Sequence, residues 1–434
     1  MIAVAIVSMT AHFESPAGIS WVISALYIAT AVAAPMGGQL GTLFGARRIY
    51  LIGLALVGAG SIVGALAPNV GALAAGYILL GSGMATHFPN ATTMVRAYAE
   101  RHAMQPRSAL TTLVLCSQVV AAMGPTLGGL LVGAFGWQSI LWVNLPVVAL
   151  SALAIIRFAD IGFVGGTSAT GRELVRSLDI PGIAVFLVLM STTMLFLLSL
   201  SDAPRWWLAP IVVFAAALFM RHERRIDEPF IDVRALGANR ALSATLVRTL
   251  LTYTTFYCVF FGIPQWLQYT RGMDATTAGL TMLPVAVVAI CSTISASWVY
   301  RRYGSRPTLV IGTLALLVGG VLLAVVERST APILVLLLVA AVLGIPQGFN
   351  NIGNQNVINS VTTVAEVGTA IGTYRTVQYI GANLSTVVLQ ITAGSVIDDV
   401  GMRRLGWFIV VCAAVLLTEA TLTPSMRIRA APKD

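Results

Sequence analysis

Charge is what this chain has least of. Only 10% of its 434 residues are Asp, Glu, Lys or Arg, whereas soluble domains carry about 25%. That excludes an ordinary water-soluble enzyme, and the 57% hydrophobic share excludes a disordered chain. Cysteine is equally sparse. Cys116, Cys258, Cys291 and Cys412 show no CxxC spacing and all lie in apolar runs, where thiols pack as small hydrophobes. The sequence offers no metal-ligand spacing, no Walker loop and no dinucleotide fingerprint. No cofactor, no metal and no ATP-driven pump is therefore expected. Acidic residues are the scarcer sign, 17 against 26 basic ones, for a formal charge of +9. In a soluble protein that surplus would raise nucleic acid as a partner.

Long apolar runs are what the chain has in quantity, with a mean hydropathy of +0.86. A membrane helix needs about 20 apolar residues. Runs of that kind fall at 20–41, 49–67, 71–95, 109–132, 138–157, 180–200, 206–221, 241–268, 275–299, 307–326, 332–353, 367–396 and 405–423. The apolar segment Met1 to Phe13 precedes them and is too short to span. It lacks the basic start and cleavage site of a signal peptide. It is read as the second half of a truncated first helix, which makes fourteen helix positions.

The arginines then report topology. With the Arg47–Arg48 turn on the cytoplasmic side, 19 basic residues fall in cytoplasmic segments and five in outer ones. Only Arg248 and Arg375 fall inside spans. This is the positive-inside bias, so the surplus marks orientation and not nucleic-acid binding. It predicts a cytoplasmic C-terminus. Trp21, Trp137, Trp206, Trp207 and Trp407 lie at outer boundaries, as an aromatic belt would.

Several motifs are more specific. The turn after the second span runs from Gly38 through Thr42 and Gly45 to Arg47 and Arg48, and Arg301, Arg302, Gly304 and Arg306 echo it between the tenth and eleventh spans. Glycine followed by arginine suits a tight turn with φ > 0. On the fifth span stand Gly124, Pro125, Gly128 and Gly129, followed by Gly136-Trp137 and then Asn144 and Pro146. Further on come Asp179, Pro181 and Gly182 and, beyond two apolar runs, a charged stretch from Arg221 through Glu228 to Asp232.

These residues resemble the major facilitator superfamily, and in particular its fourteen-helix drug:proton antiporter branch. The resemblance implies an all-α membrane protein with two six-helix bundles plus an inserted helix pair, the first helix truncated. The expected division is 1–157, 158–240 and 241–434. It also implies alternating access by two bundles, a gating turn at Gly38, Thr42, Gly45, Arg47 and Arg48, and a sealing bend at Gly124/Pro125/Gly128/Gly129. Glycine spacing alone is equally compatible with plain tight packing.

The chain departs from that pattern where coupling would reside. Thr42 stands at the family's acidic turn position, Leu43 follows it, and Ala46 replaces the arginine after the glycine. On the fourth span Tyr77 stands for a buried arginine and Leu80 for a glutamine. The family's first-helix carboxylate would precede Met1. No carboxylate lies within the six N-terminal spans.

Polar residues within spans are functional candidates, because burying charge in a bilayer costs at least about 2.5–3.5 kcal/mol. The thirteenth span carries Arg375, Gln378, Tyr379 and Asn383; the twelfth Gln347, Asn350, Asn351 and Asn354; the ninth Arg248, Tyr253 and Tyr257. By the resemblance, these three spans line the substrate cavity. The bland alternative for Arg248 is snorkelling to the cytoplasmic surface. His87 is the proton-coupling candidate, because imidazole titrates near neutrality, though most such rings are simply packed. Glu419, on the last span, is expected to reach the interface.

The expectation is efflux of a small amphiphilic drug or metabolite across a bacterial-type inner or plasma membrane. Its partners are the lipid bilayer, a substrate and, in the antiport case, protons; the sequence says nothing of oligomeric state. The alternatives are an uncoupled uniporter or exchanger, and a non-transporting relative. A membrane enzyme is disfavoured, since no catalytic constellation occurs in the spans.

Overall fold

Glycine and proline set where this chain turns. Gly45, at φ 95°, alone separates α2 (Pro16–Phe44) from α3 (Ala46–Ala65). Gly304, at φ 87°, alone separates α13 (Leu283–Tyr303) from α14 (Ser305–Val325). A side chain is strained at such angles, so both echoed turns place glycine at a positive φ.

A computed structural model describes residues 1–102, 104, 107–158, 179–200, 204–226, 229, 231, 233–362, 367–394 and 396–422. The loop from 159 to 178, Glu228 and Asp232 of the linker, and the basic C-terminal tail lie outside the described residues. The described residues form an all-α membrane fold. The remaining helices are α1 (Ile2–Phe13), α4 (Val70–Arg101), α5 (Arg107–Phe135), α6 (Ser139–Trp142), α7 (Asn144–Phe158), α8 (Ile180–Ser199), α9 (Leu208–Glu223), α10 (Val233–Ala238), α11 (Arg240–Tyr269), α12 (Ala275–Thr281), α15 (Ile333–Val361), α16 (Val367–Ala393) and α17 (Asp399–Leu422). Among the described residues, ten helical segments are long and apolar enough to cross a membrane. Helices occupy every apolar run of the sequence; α6 with α7, and α12 with α13, each fill one.

Side chains cap the helix starts that loops leave open. Asn69 accepts from Ala72 N at 2.9 Å, Asp179 from Gly182 N at 3.0 Å, Asn239 from Leu242 N at 3.0 Å and Asp274 from Thr277 N at 2.8 Å. Each satisfies one of the orphan N–H groups of a first turn.

The backbone divides into two compact units. One comprises Met1–His12, Gln118–Trp137 and Ala238–Asp434; the other comprises Phe13–Ser117 and Gln138–Gly237. In the second, α3 and α4 meet through glycine on both sides. A Cβ on Gly76 would lie 2.6 Å from Gly64 N and 2.9 Å from Gly60 O. Lipid provides no hydrophobic drive between helices, so small residues that allow close backbone approach supply the packing. The inserted pair α8 and α9 sits in this unit, with Phe186 and Phe219 rings 5.6 Å apart, and α8 also packs on α2.

Candidate functional site

In the first unit, α11 carries its residues on two distinct faces. Thr245, Arg248, Thr249, Thr252 and Thr255 are buried, whereas Tyr253, Phe256, Tyr257 and Phe260 are only half-buried. The latter four stand at i, i+3, i+4 and i+7, which is one helical stripe. Their rings form a chain: Tyr253 to Tyr257 at 6.4 Å, Phe256 to Tyr257 at 5.1 Å and Tyr257 to Phe260 at 5.9 Å.

Helices α15 and α16 complete this face. Asn351 Oδ1 accepts from Tyr253 Oη at 3.3 Å and from Tyr374 Oη at 3.0 Å. One amide thereby ties α11, α15 and α16 together. The Tyr253 and Tyr374 rings cross edge to face at 6.5 Å. Arg375, half-buried, follows Tyr374 and donates from Nη1 to Gln378 Oε1 at 3.5 Å, one turn on. Gln347, half-buried, precedes Asn351 by one turn. Asn383 is 2% exposed two turns beyond Arg375, and its Oδ1 has no hydrogen-bond partner.

Other predicted residues point elsewhere. Arg248 faces α14 and α17 instead of the tyrosine stripe. It donates from Nη1 to Leu416 O at 2.9 Å and Glu419 Oε2 at 2.6 Å, and from Nη2 to Thr313 Oγ1 at 2.8 Å. Arg248 is 1% exposed, so it neither joins the aromatic face nor snorkels, and Glu419 is its counterion. Helical geometry explains the separation: at about 100° per residue, Arg248 lies near Thr252 and Thr255 but about 140° from Tyr253. Asn350 and Asn354 share a second face of α15, both fully buried. Asn350 Oδ1 accepts from Thr313 at 3.4 Å, so it belongs to the Arg248 network. Neither side-chain polar atom of Asn354 has a hydrogen-bond partner.

His87 packs its ring 4.8 Å from that of Tyr50 on α3, with Nε2 buried against Gly53. That placement is the packed one. Asn90, one turn on, donates to Gly37 O at 2.9 Å and clamps α4 onto α2 beside Gly41. Sequence reasoning assigns Asn90 no role; a buried amide aimed at a glycine-rich neighbour is the signal that finds it. Trp137 is 5% exposed beside His12, so it is packed and not part of a lipid-facing belt. Trp206, Trp207 and Trp407 remain exposed.

The two motif clusters are structured as follows. Thr42 is exposed and bonds only its own helix, at Gln39 O. Arg47 reaches across to Ile156 O at 2.9 Å, Arg48 is exposed, and Gly38 sits 3.7 Å (from a built Cβ) below Pro89. On α5, Pro125 lies within an unbroken helix. Gly129 meets Gly279 backbone to backbone, Gly124 and Gly128 pack on Met1, and Thr126 Oγ1 donates to Gly279 O at 3.0 Å. Among the described residues no group of His, Cys, Asp and Glu could hold a metal ion.

A family model described as Major Facilitator Superfamily matches residues 1–386. The chain belongs to that superfamily. It is 32% identical over 423 residues to the uncharacterized MFS-type transporter YwoD of Bacillus subtilis (strain 168), covering 97% of this chain and 92% of that one. It is 28% identical over 398 residues to the tetracenomycin C resistance and export protein of Streptomyces glaucescens, covering 89% and 71%. In fold it is similar to a mutant of the nucleoside transporter NupG, with a TM-score of 0.67, 14% identity and coverage of 96% and 94%. This member of the major facilitator superfamily is thus a multi-pass membrane transporter and not an enzyme.

Proposed function

We propose that this transporter exports a small amphiphilic compound across the plasma membrane by alternating access, with its C-terminus on the cytoplasmic side. The proposed bundles are 1–157 and 241–434, with 158–240 as linker and inserted pair. The observation that carries the reading is the half-buried aromatic stripe of α11 beside Asn351, Gln347, Arg375, Gln378 and Tyr379. Mostly apolar surface with a few placed polar groups is the usual composition of a small-molecule site. Relatives named as exporters, the tetracenomycin C protein among them, support the direction of transport.

A second reading concerns energy. Facilitated export down the substrate's own gradient, without protons, is favoured by Thr42, Tyr77 and Leu80, which stand at the turn and fourth-span positions where the resemblance expects coupling groups, and by the packed His87 ring. The test is a panel of fluorescent amphiphiles loaded into efflux-deficient cells expressing the full chain. After transfer to dye-free medium, dye should leave faster than from empty-vector cells, and Asn351→Leu should slow it. If no dye in the panel is extruded, the export reading fails. If extrusion stops when nigericin collapses ΔpH while the membrane potential is held, proton antiport replaces the uncoupled reading.

A further inference from the structure

The charged side chains of α11, α15 and α16 have one sign. No Asp or Glu occurs anywhere in α11, α15 or α16. Glu419, a carboxylate inside the neighbouring α17, is held 2.6 Å from Arg248 on the far face of α11. The cation of the face is Arg375, which follows Tyr374 in the chain and bonds Gln378 one turn on. The surrounding groups are phenols, amides and the phenyl rings of Phe256 and Phe260.

Each part of this set favours the same chemistry. Aromatic rings in offset or edge-to-face contact accept a flat ring system. A guanidinium pairs with carboxylate or phenolate oxygen through directional, charge-assisted bonds. A lipophilic cation would meet a like charge in a poorly screened site, with no carboxylate on the three helices to offset it. The aromatic faces could attract a cation on their own, but Arg375 already supplies one.

We infer that this face takes planar aromatic anions, bearing a carboxylate or phenolate, in preference to aromatic cations of the same size; the inference rests on the export reading above. An anion also needs no proton to leave. Carrying one negative charge out of an interior-negative cell is favoured about fortyfold per 100 mV.

The test uses a matched pair of xanthene dyes, carboxyfluorescein as the anion and rhodamine 123 as the cation, bound to the purified full chain in detergent and read by fluorescence anisotropy. The unsubstituted chain should bind carboxyfluorescein at least about tenfold tighter, the scale of one charged hydrogen bond. Arg375→Gln should erase that preference and Arg375→Lys should retain most of it, both with unchanged elution on size exclusion. Equal binding, a preference for rhodamine 123, or binding of neither dye overturns the inference. The ranking by the unsubstituted chain needs no variant, so a misfolded Arg375→Gln would not protect the idea. Export is scored separately in cells. Carboxyfluorescein that binds through Arg375 but stays inside removes the export reading and leaves anion selectivity standing. Extrusion of rhodamine 123 without anion binding does the reverse.

Discussion

Glu419→Leu is the substitution that most directly tests the buried network of the C-terminal helices. Arg248 is 1% exposed, and its guanidinium has three partners: a carboxylate, a carbonyl and a hydroxyl. Removing Glu419 leaves a buried cation with two neutral acceptors. Uncompensated buried charge costs about 3–5 kcal/mol. The remaining Leu416 carbonyl and Thr313 hydroxyl place the expectation at the lower end, about 3 kcal/mol. Arg248→Met is the milder change, because Glu419 is 25% exposed on its side chain and can turn towards water. It should cost about 1–2 kcal/mol, within the range for a lost charged hydrogen bond. The double variant removes both charges and should cost about 1 kcal/mol or less, since an apolar replacement for an ion pair is often neutral. The order of damage is therefore Glu419→Leu, then Arg248→Met, then the pair together. The assay is the fraction of protein surviving a heat step, read by fluorescence-detected size exclusion. At about 2–4 °C per kcal/mol, Glu419→Leu should lower the midpoint by about 6–12 °C. A midpoint within a degree of the unsubstituted chain, or a double variant worse than either single, would refute the reasoning.

Three further outcomes are expected. A Cβ on Gly129 would collide with the Ala275 carbonyl oxygen and with Gly279 Cα. Gly129→Val should therefore cost more than the roughly 1–3 kcal/mol of ordinary overpacking, seen as lost monodisperse protein, while Gly237→Val, with nothing within 4 Å, should be tolerated. Glu223 lies past the apolar run of α9, and burial pushes its carboxyl up to about 7; the Ile231 N–H and His222 oppose the rise, and the Asp179 charge adds to it. Because the fold holds this proton more tightly than the unfolded chain does, its contribution is complete below about pH 4.5 and is lost as pH rises through 7. The thermal midpoint should fall between pH 5 and 8, and Glu223→Gln should flatten that slope; an unaltered slope in the variant would assign it to another group. Finally, an interior-negative potassium diffusion potential should speed carboxyfluorescein export from cells at zero ΔpH, and indifference to potential would mean that no net charge moves.

Much of the scaffold is legible in the sequence. Hydropathy places every span, and the Gly45 and Gly304 turns follow from glycine beside arginine. The stripe of Gln347 and Asn351 on one helix, and of Arg375, Gln378 and Tyr379 on another, follows from helical spacing. The structure departs from the sequence expectation at residues of a different kind. Arg248 shares a span with Tyr253 and Tyr257, yet about 140° of helix separates it from Tyr253. Asn350 is the neighbour of Asn351 in the chain but lies about 100° away around the helix. The pairing of Glu419 with Arg248, 171 residues away, is likewise out of reach of the sequence.

The set of helices, their turns and the scarcity of carboxylate within the spans therefore follow from the sequence alone. These are local or compositional properties, set by bond geometry, glycine's freedom at positive φ and the cost of charge in lipid. What only the tertiary structure decided is which neighbour each helix face meets. Lipid and bundle interior are equally apolar, so hydropathy cannot tell a face that touches α14 and α17 from one left half-open. Contact with those helices turned one of two intramembrane arginines into a structural ion pair and left Arg375 among the tyrosines.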